Sequence, residues 1–352
     1  MKIGHILPFT PHQSGLYESG REVIEEEIKQ GHDARFLDSE GKYHQYLLDR
    51  GVRSCSLSWF LREPDIYVMH QTCEKAILDR ISKPIVLILH GTPKDTFWAD
   101  AFKDSKSYEL VLDFLEDSRF YFLSLWKRHM EFWKPLMGDR VGYAPSCVNL
   151  TRFNPDIEPY SFRGSSLGSP NILFGDTWRI DKLPFEIMHS FNYFKKEYPE
   201  ARIHIYCKQE TNKTLWPRFF TRIVENKDYY LGEYDGMISD FPQVVKACDF
   251  VVTPQRDSTR IIRESLAIGT PVVALDGCRH TPYTADHYYP LKFKEAMVTC
   301  WENMKVSKDS LSSECRDYAE KNFNVENTVS ELIKFLERVL SEKVFSDTIS
   351  VI

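Results

Sequence analysis

The chain has eight cysteines but no C-x-x-C pair: Cys55, Cys73, Cys147, Cys207, Cys248, Cys278, Cys300 and Cys315 stand singly. A zinc ribbon or a disulfide framework is therefore not expected, and a reducing compartment is the default. There is no Asp-x-Asp, so nothing in the sequence points to a metal-held diphosphate. Gly15 and Gly20 share one loop-like stretch but make no G-x-G-x-x-G, which excludes the dinucleotide fingerprint. No run approaches the ~20 apolar residues of a membrane span, so no transmembrane anchor is expected. The apolar part of MKIGHILPF is too short for a secretory signal. The expected location is cytoplasmic, with peripheral membrane association left open. The net charge is −6, which argues against a dedicated nucleic-acid binder but leaves a local basic groove possible. There is no internal repeat and no low-complexity tract.

What remains is an ordinary globular composition, 42% hydrophobic and 27% charged over 352 residues, enough for about two domains. The best-patterned stretch is Phe250–Asp276, FVVTPQRDSTRIIRESLAIGTPVVALD. Phe250–Pro254 is a short apolar strand. Asp257, Ser258 or Thr259 can cap a helix running to about Ile268. Gly269 stands where a left-handed cap is expected, Pro271 forbids continuation, and Val272–Leu275 is a second strand. The loop between strand end and helix start is a natural anion site, because helix-start N–H groups lack acceptors.

The chain opens in the same way. Lys2–Pro8 reads as a strand, PHQSGLYESG as a loop, and a helix follows with Val23, Ile24 and Ile28 on one face; Gly31 stops it before a strand from Ala34. Asp65–Met69 ends at His70, Pro84–Leu89 at His90, and Arg119–Leu123 at Ser124. Such β-α-β units make parallel sheets, whose ligands bind beyond the strands' carboxyl ends. Trp126–Trp133, with Lys127, Arg128 and Lys134, mixes aromatic and basic residues. Packing of the aromatics on the sheet is preferred there to contact with a sugar, a lipid surface or single-stranded nucleic acid. Arg152–Pro170, with its prolines, glycines and serines, reads as a linker. A second series follows: strand Ile172–Phe174, helix Phe185–Tyr198, strand Arg202–Tyr206, helices near Trp216–Val224 and Phe241–Ala247, then the stretch at Phe250. Val325–Leu340 is an amphipathic helix. The expected domains are 1–157 and 171–324, joined by a linker at 158–170. A terminal helix and tail occupy 325–352, and their return to the first domain is left open. A ligand cleft between the two domains is expected.

Several segments, in order, resemble the retaining GT-B glycosyltransferases of family four. SGLYESGREVIEEEIKQGHD is similar to that family's glycine-rich loop and following helix; PDIYVMHQ and PIVLILHG to its strand-then-His segments. PSCVNLTRFNP resembles its Pro-Asn-Gly-Val-Asp run, with Ser146, Cys147 and Asn149 replacing Asn, Gly and Asp. ILFGDTWRIDK resembles the start of its second domain, and RESLAIGTPVVA its Glu-Ala-Met-Ala-x-Gly-x-Pro-Val-Val-Ala. The resemblance implies an α/β fold of GT-B type, two Rossmann-like α/β/α domains facing each other across a cleft, acceptor side first and donor side second. It implies a hexosyltransferase-like enzyme that takes a nucleotide-sugar as co-substrate and needs neither a cofactor nor a metal. UDP- or GDP-sugars are preferred to ADP-sugars. The acceptor is a glycan, a lipid-linked sugar, a small molecule or a modified nucleic acid.

The resemblance also implies site residues. Glu264 falls on the second of two family glutamates and would accept hydrogen bonds from a ribose diol; the plain alternative is an exposed helix glutamate paired with Arg260 or Arg263. Lys182 would neutralise the donor diphosphate, with Arg179 as a substitute for the family arginine, whose position is Asp176. Ser258 and Thr259 would offer N–H and hydroxyl groups to the same diphosphate, or simply cap the helix. The first family glutamate falls on Arg256, so Arg256 would bind phosphate and the neighbouring Asp257 would take the sugar hydroxyls. His90, and less so His70, would lie near the transferred sugar. Gly15 would let backbone approach the diphosphate or acceptor. Besides a retaining glycosyltransferase, two readings stay in play: a catalytically reduced GT-B binding protein, and a transferase acting on a polymer such as modified phage DNA.

Overall fold

The computed structural model describes residues 1–7, 15–70, 75–93, 114–161, 168–176, 184–205, 241–286 and 288–349. Lys182, Arg179 and the helix expected near Trp216–Val224 lie outside them. The chain forms two compact units, Met1–Cys147 with Val325–Ile352, and Val148–Asn324.

The first unit carries the strands β1 (Lys2–Ile6), β2 (Asp33–Leu37), β3 (Arg53–Cys55), β4 (Ile66–His70), β5 (Ile85–Leu89), β6 (Phe120–Ser124) and β7 (Val141–Tyr143). Its helices are α1 (Gly15–Lys29), α2 (His44–Leu48), α3 (Leu57–Arg62), α4 (Lys75–Leu78) and α5 (Lys127–Met137). The strands form one parallel sheet in the order β3-β2-β1-β4-β5-β6-β7. The run reverses between β1 and β4, the switch point at which such sheets take ligands. The pleat divides the apolar residues between two faces. Ile3, Ile66, Val68, Val86 and Ile88 pack with α1. Ile6, Tyr67, Met69, Ile85 and Leu87 pack on the other face with Trp133 and Met137 of α5. Trp133 lies edge-on to Phe122 at 5.1 Å, so α5 packs its aromatic side on the sheet while Phe132 and Leu136 are exposed.

The second unit holds β8 (Asn171–Phe174), β9 (Arg202–Ile205), β10 (Phe250–Val252), β11 (Val272–Leu275) and β12 (Thr284–Ala285) in the parallel order β12-β11-β10-β8-β9. Helices α6 (Pro184–Glu197), α7 (Phe241–Lys246) and α8 (Arg260–Ile268) pack around it, and α9 spans Pro290–Phe323. The last helix, α10 (Val325–Ile349), packs its Val329, Leu332, Phe335, Leu336 and Val339 into the first unit's core.

The stretch at Phe250 folds as expected. Gly269 is left-handed (φ 82°), its N–H bonds Leu266 O at 3.0 Å, and Thr270 N–H bonds Ser265 O at 2.9 Å. This is the paired bonding of a Schellman cap. A β-carbon on Gly269 would also come within 2.9 Å of Ser312 O, so the glycine lets α9 pass close behind the end of α8.

The opening loop is corrected. The helix begins at Gly15 instead of after Gly20, so both glycines lie in α1. This helical position takes glycine because a β-carbon there would overlap Leu7 and come within 3.3 Å of His70 Cε1. The 34-residue α9 was not expected at all. It bends at Ser307 (φ −147°, ψ 48°). Before the bend Phe293, Met297 and Cys300 enter one core; after it Cys315, Ala319 and Phe323 enter the other. Cys55, Cys147, Cys248, Cys278, Cys300 and Cys315 are buried free thiols.

Two expected outcomes follow from this packing. In β7, a side chain on Gly142 would overlap the Phe335 ring of α10. Gly142→Val should therefore cost about 1–3 kcal/mol, read as a lower urea midpoint, with part recovered in the Gly142→Val/Phe335→Leu double variant. In the second unit, His204 Nε2–H donates to Asn171 Oδ1 at 2.9 Å, and burial pushes its pKa down to about 4. Below the unfolded histidine value, ~6.5, the unfolded chain takes a proton that the folded one refuses. Stability is then full above that pH and is lost as pH falls toward 4, by up to roughly 3 kcal/mol for this residue. Urea unfolding between pH 7 and 4 should show a shallower decline for His204→Gln than for the wild type.

Candidate functional site

In the second sheet the chain leaves β8 for β9 on one side and returns as β10 on the other, so the switch point lies between β8 and β10. Asp176 follows β8 and Thr253 follows β10. The buried Asp176 carboxylate accepts hydrogen bonds from Thr253 Oγ1 and, at 3.2 Å, from Gln255 Nε2. The position of the family arginine is thus a carboxylate already engaged by its neighbours.

The loop beyond β10 is tied down at several points. Leu275 N–H bonds Gln255 O at 3.2 Å, and Thr259 N–H bonds Asp257 O at 2.6 Å. The buried Arg263 guanidinium donates to Ser258 O at 2.6 Å. Thr259 is the N-cap of α8 by its extended backbone, but its hydroxyl makes no cap bond; Oγ1 is buried without a hydrogen-bond partner. Ser258 is buried, Asp257 partly exposed and Arg256 exposed. Side-chain capping by Thr259, the plain alternative in the sequence, is therefore not what the hydroxyl does.

Glu264 lies in the second turn of α8. It is buried, not the exposed glutamate of the plain alternative. Arg260 holds its Oε1 with Nε at 2.6 Å and Nη2 at 2.5 Å. The i,i+4 spacing sets the two on one face, and burial makes each depend on the other.

In the first unit a second polar group spans the switch point. Alternation places His5 on the face of Ile3, His70 on that of Ile66 and Val68, and His90 on that of Val86 and Ile88. The register sets His5 beside Val68 and His70 beside Ile88, so the three histidines climb the sheet in two-residue steps. His90 Nε2 lies 2.9 Å from His70 Nδ1, and His70 Nε2 lies 3.2 Å from His5 Nδ1. His5 Nε2 lies 2.7 Å from Glu27 Oε2 on α1. His5, His70 and Glu27 are fully buried, and His90 is partly exposed. Burial, then the rings of His90 and His5, hold His70 well below the ordinary histidine pKa, so it is neutral.

Gly15 stands at the start of α1, its carbonyl accepting the Ser19 hydroxyl at 3.0 Å. Of the residues singled out in the sequence, the fold gathers Arg256, Asp257, Ser258, Thr259 and Glu264 on one loop and helix, and sets His90 and Gly15 in the first unit. His5 and Glu27 were missed as members of these groups; in the sequence Arg260 stands only as the partner of Glu264 in the plain alternative, and that pairing forms, although Glu264 is buried. One signal was available: Glu27 falls at helical spacing from Val23 and Ile24, on the apolar stripe of α1. Among the described residues no cluster of three or more His, Cys, Asp or Glu is arranged to hold a metal ion. Among them also, no helix is long and apolar enough to cross a membrane.

No family model matches the chain, and no curated protein matches it by sequence. Solved structures do. A glycosyltransferase from Rickettsia africae superposes with a TM-score of 0.70 at 12% identity, over 96% of this chain and 98% of that one. Anabaena HepE in complex with UDP and glucose gives 0.70 at 14% identity, over 96% and 99%. Sucrose-phosphate synthase from Thermosynechococcus elongatus gives 0.73 at 11% identity, over 97% and 99%. The likeness spans almost the whole chain, and with the two parallel sheets it fixes the architecture: the chain has the two-domain, Rossmann-like GT-B fold.

Proposed function

We propose that the protein is a glycosyltransferase that moves a sugar from a nucleotide-sugar to an acceptor hydroxyl with retention, in the manner of family four. The observation that carries this is the loop and helix beyond β10. It sets a helix start and a buried, Arg260-held Glu264 at the carboxyl end of the second sheet. A ribose diol needs a fixed acceptor, and Arg260 fixes the carboxylate's orientation by holding one oxygen. A diphosphate needs N–H donors, which the first turn of α8 supplies. The Asp176 carboxylate would repel it, so the phosphates lean on α8 and on Lys182, with Arg179 or Arg256 as a second cation. The UDP bound by HepE is support for a uridine donor.

In this reading the acceptor attacks on the face that the diphosphate leaves, and the donor phosphate takes the proton. His90 and Asp257 handle sugar hydroxyls, and Gly15 admits the acceptor or diphosphate. No metal takes part. One observation favours a second reading, a binding protein with catalysis reduced: the first family-glutamate position is the exposed Arg256.

The decisive measurement is transfer and hydrolysis with UDP-, GDP- and ADP-sugars, run beside nucleotide binding by calorimetry. UDP binding with sugar release is the expected result. Binding without turnover selects the second reading, and neither binding nor turnover rejects both. Glu264→Gln should weaken UDP binding by about ten-fold or more, the loss of one charge-assisted hydrogen bond. UMP, which keeps the ribose, should lose as much affinity as UDP, whereas inorganic diphosphate should lose little.

A further inference from the structure

The hydrogen bonds from Glu27 to His90 run in sequence through His5 and His70, and a chain of neutral imidazoles has a direction. Each neutral ring has one N–H and one bare nitrogen. With Glu27 ionised and His5 neutral, the carboxylate can only accept, so His5 carries its one ring hydrogen on Nε2 and leaves Nδ1 bare. His70 Nε2 lies against that bare atom and must donate, which leaves His70 Nδ1 bare. His90 Nε2 lies against that atom in turn and must donate as well. If the Glu27–His5 pair holds one more proton, on either partner, the bonds beyond His5 reverse and His90 Nδ1 carries the hydrogen. The protonation of this buried pair therefore decides the tautomer of the ring at the far end of the chain.

We propose that Glu27, acting through His5 and His70, is a positioning residue that fixes His90 as its Nε2–H tautomer and makes Nδ1 a hydrogen-bond acceptor. The group this suits is a hydroxyl, not a phosphate: a bare Nδ1 accepts from an O–H and repels an anionic oxygen.

Three features support a chain built for direction rather than a set of incidental contacts. The two-residue stagger of the strands brings His5, His70 and His90 into line, with successive ring centroids 5.5 and 5.2 Å apart. The missing side chain at Gly20 lets α1 close on His70, and a β-carbon there would crowd its Cε1. At the far end Glu27 spends Oε2 on His5, while Oε1 is buried with no hydrogen-bond partner. A fully buried glutamate with an unsatisfied oxygen is destabilising. An aliphatic residue on the same apolar stripe would fill the space without that cost.

The physical part of this inference stands apart from the glycosyltransfer reading; its kinetic consequence rests on that reading. The test is ¹H–¹⁵N long-range correlation NMR of the full chain labelled at histidine nitrogens, at pH 8. His5, His70 and His90 should each show the Nε2–H pattern. The Nδ1–H pattern at His70 or His90 in the wild type overturns the proposal without any variant. In Glu27→Leu, which removes the anchoring acceptor, His90 should change to a mixture of tautomers; an unchanged His90 in a folded Glu27→Leu protein also overturns it. His70→Phe, which cuts the chain in the middle, should release His90 in the same way, and an unaltered His90 spectrum there again counts against the proposal. If transfer is found, Glu27→Leu should lower kcat by about ten-fold or more with a smaller change in donor KM. The Nε2–H order without any transfer would reject the glycosyltransfer reading and keep this one; transfer with the reversed order would do the opposite.

Discussion

A parallel sheet covered on both faces leaves one place where polar side chains can be used, the carboxyl ends of its strands, and both units obey that constraint. Their internal strands are rich in apolar residues: β5 is IVLIL and β11 is VVAL, both buried throughout. The polar groups gathered at the switch points stand near strand ends or on the facing helix, whereas Arg35 in β2 and the buried His204 in β9 lie within strands. The switch points concentrate these groups further, because there the connecting segments diverge to opposite sides. The His5–His70 contact spans the switch between β1 and β4, and the Asp176–Thr253 contact spans the one between β8 and β10.

The two glutamates buried at these ends solve one electrostatic problem in different ways. A carboxylate removed from water needs a compensating charge or donors. Glu264 receives a full positive charge, since Arg260 lies one helical turn away on the same face. Glu27 is held instead by Nε2 of the buried His5, the first ring of an imidazole chain. The first arrangement is stiff and local. The second reaches from α1 across three strands, so the state of its carboxyl can be felt at the partly exposed His90.

The sequence displays the stretch Phe250–Leu275 almost completely, because every boundary in it is set by local chemistry. Gly269 is the residue that adopts φ 82° without strain, Pro271 bars continuation, and the flanking strands are short apolar runs. The helix α9 is hidden for the opposite reason. Its buried residues turn from one core to the other at Ser307, so no single apolar stripe runs its length. Gly20 reads as a loop residue because glycine marks turns more often than helix interiors. Its true reason, the nearness of Leu7 and His70, is a tertiary contact that no local window contains. Glu27 is masked by its neighbours: Glu25, Glu26 and Glu27 form an acidic run that looks solvated, and only the helical period sets the last of them against the sheet.

Two departures from the resemblance fall beyond the strand ends of the second sheet. With Asp176 in the arginine's place, a carboxylate sits at the switch point, and Thr253 and Gln255 supply the hydrogen bonds it needs. With Arg256 in the first glutamate's place, a cation stands on the exposed side of the same loop. The two changes exchange the signs of two charges, one moving from + to − and the other from − to +. On the proposed reading, a donor held on this loop would meet positive charge on the α8 side and the Asp176 carboxylate beyond the ends of β8 and β10. Nucleotide contacts at α8 would call only on a helix start and on Glu264. Sugar contacts would call on where acceptors and donors stand around the hydroxyls. Such a scaffold could keep a nucleotide while changing the sugar it carries, with Arg256 and Asp257 as the positions that differ.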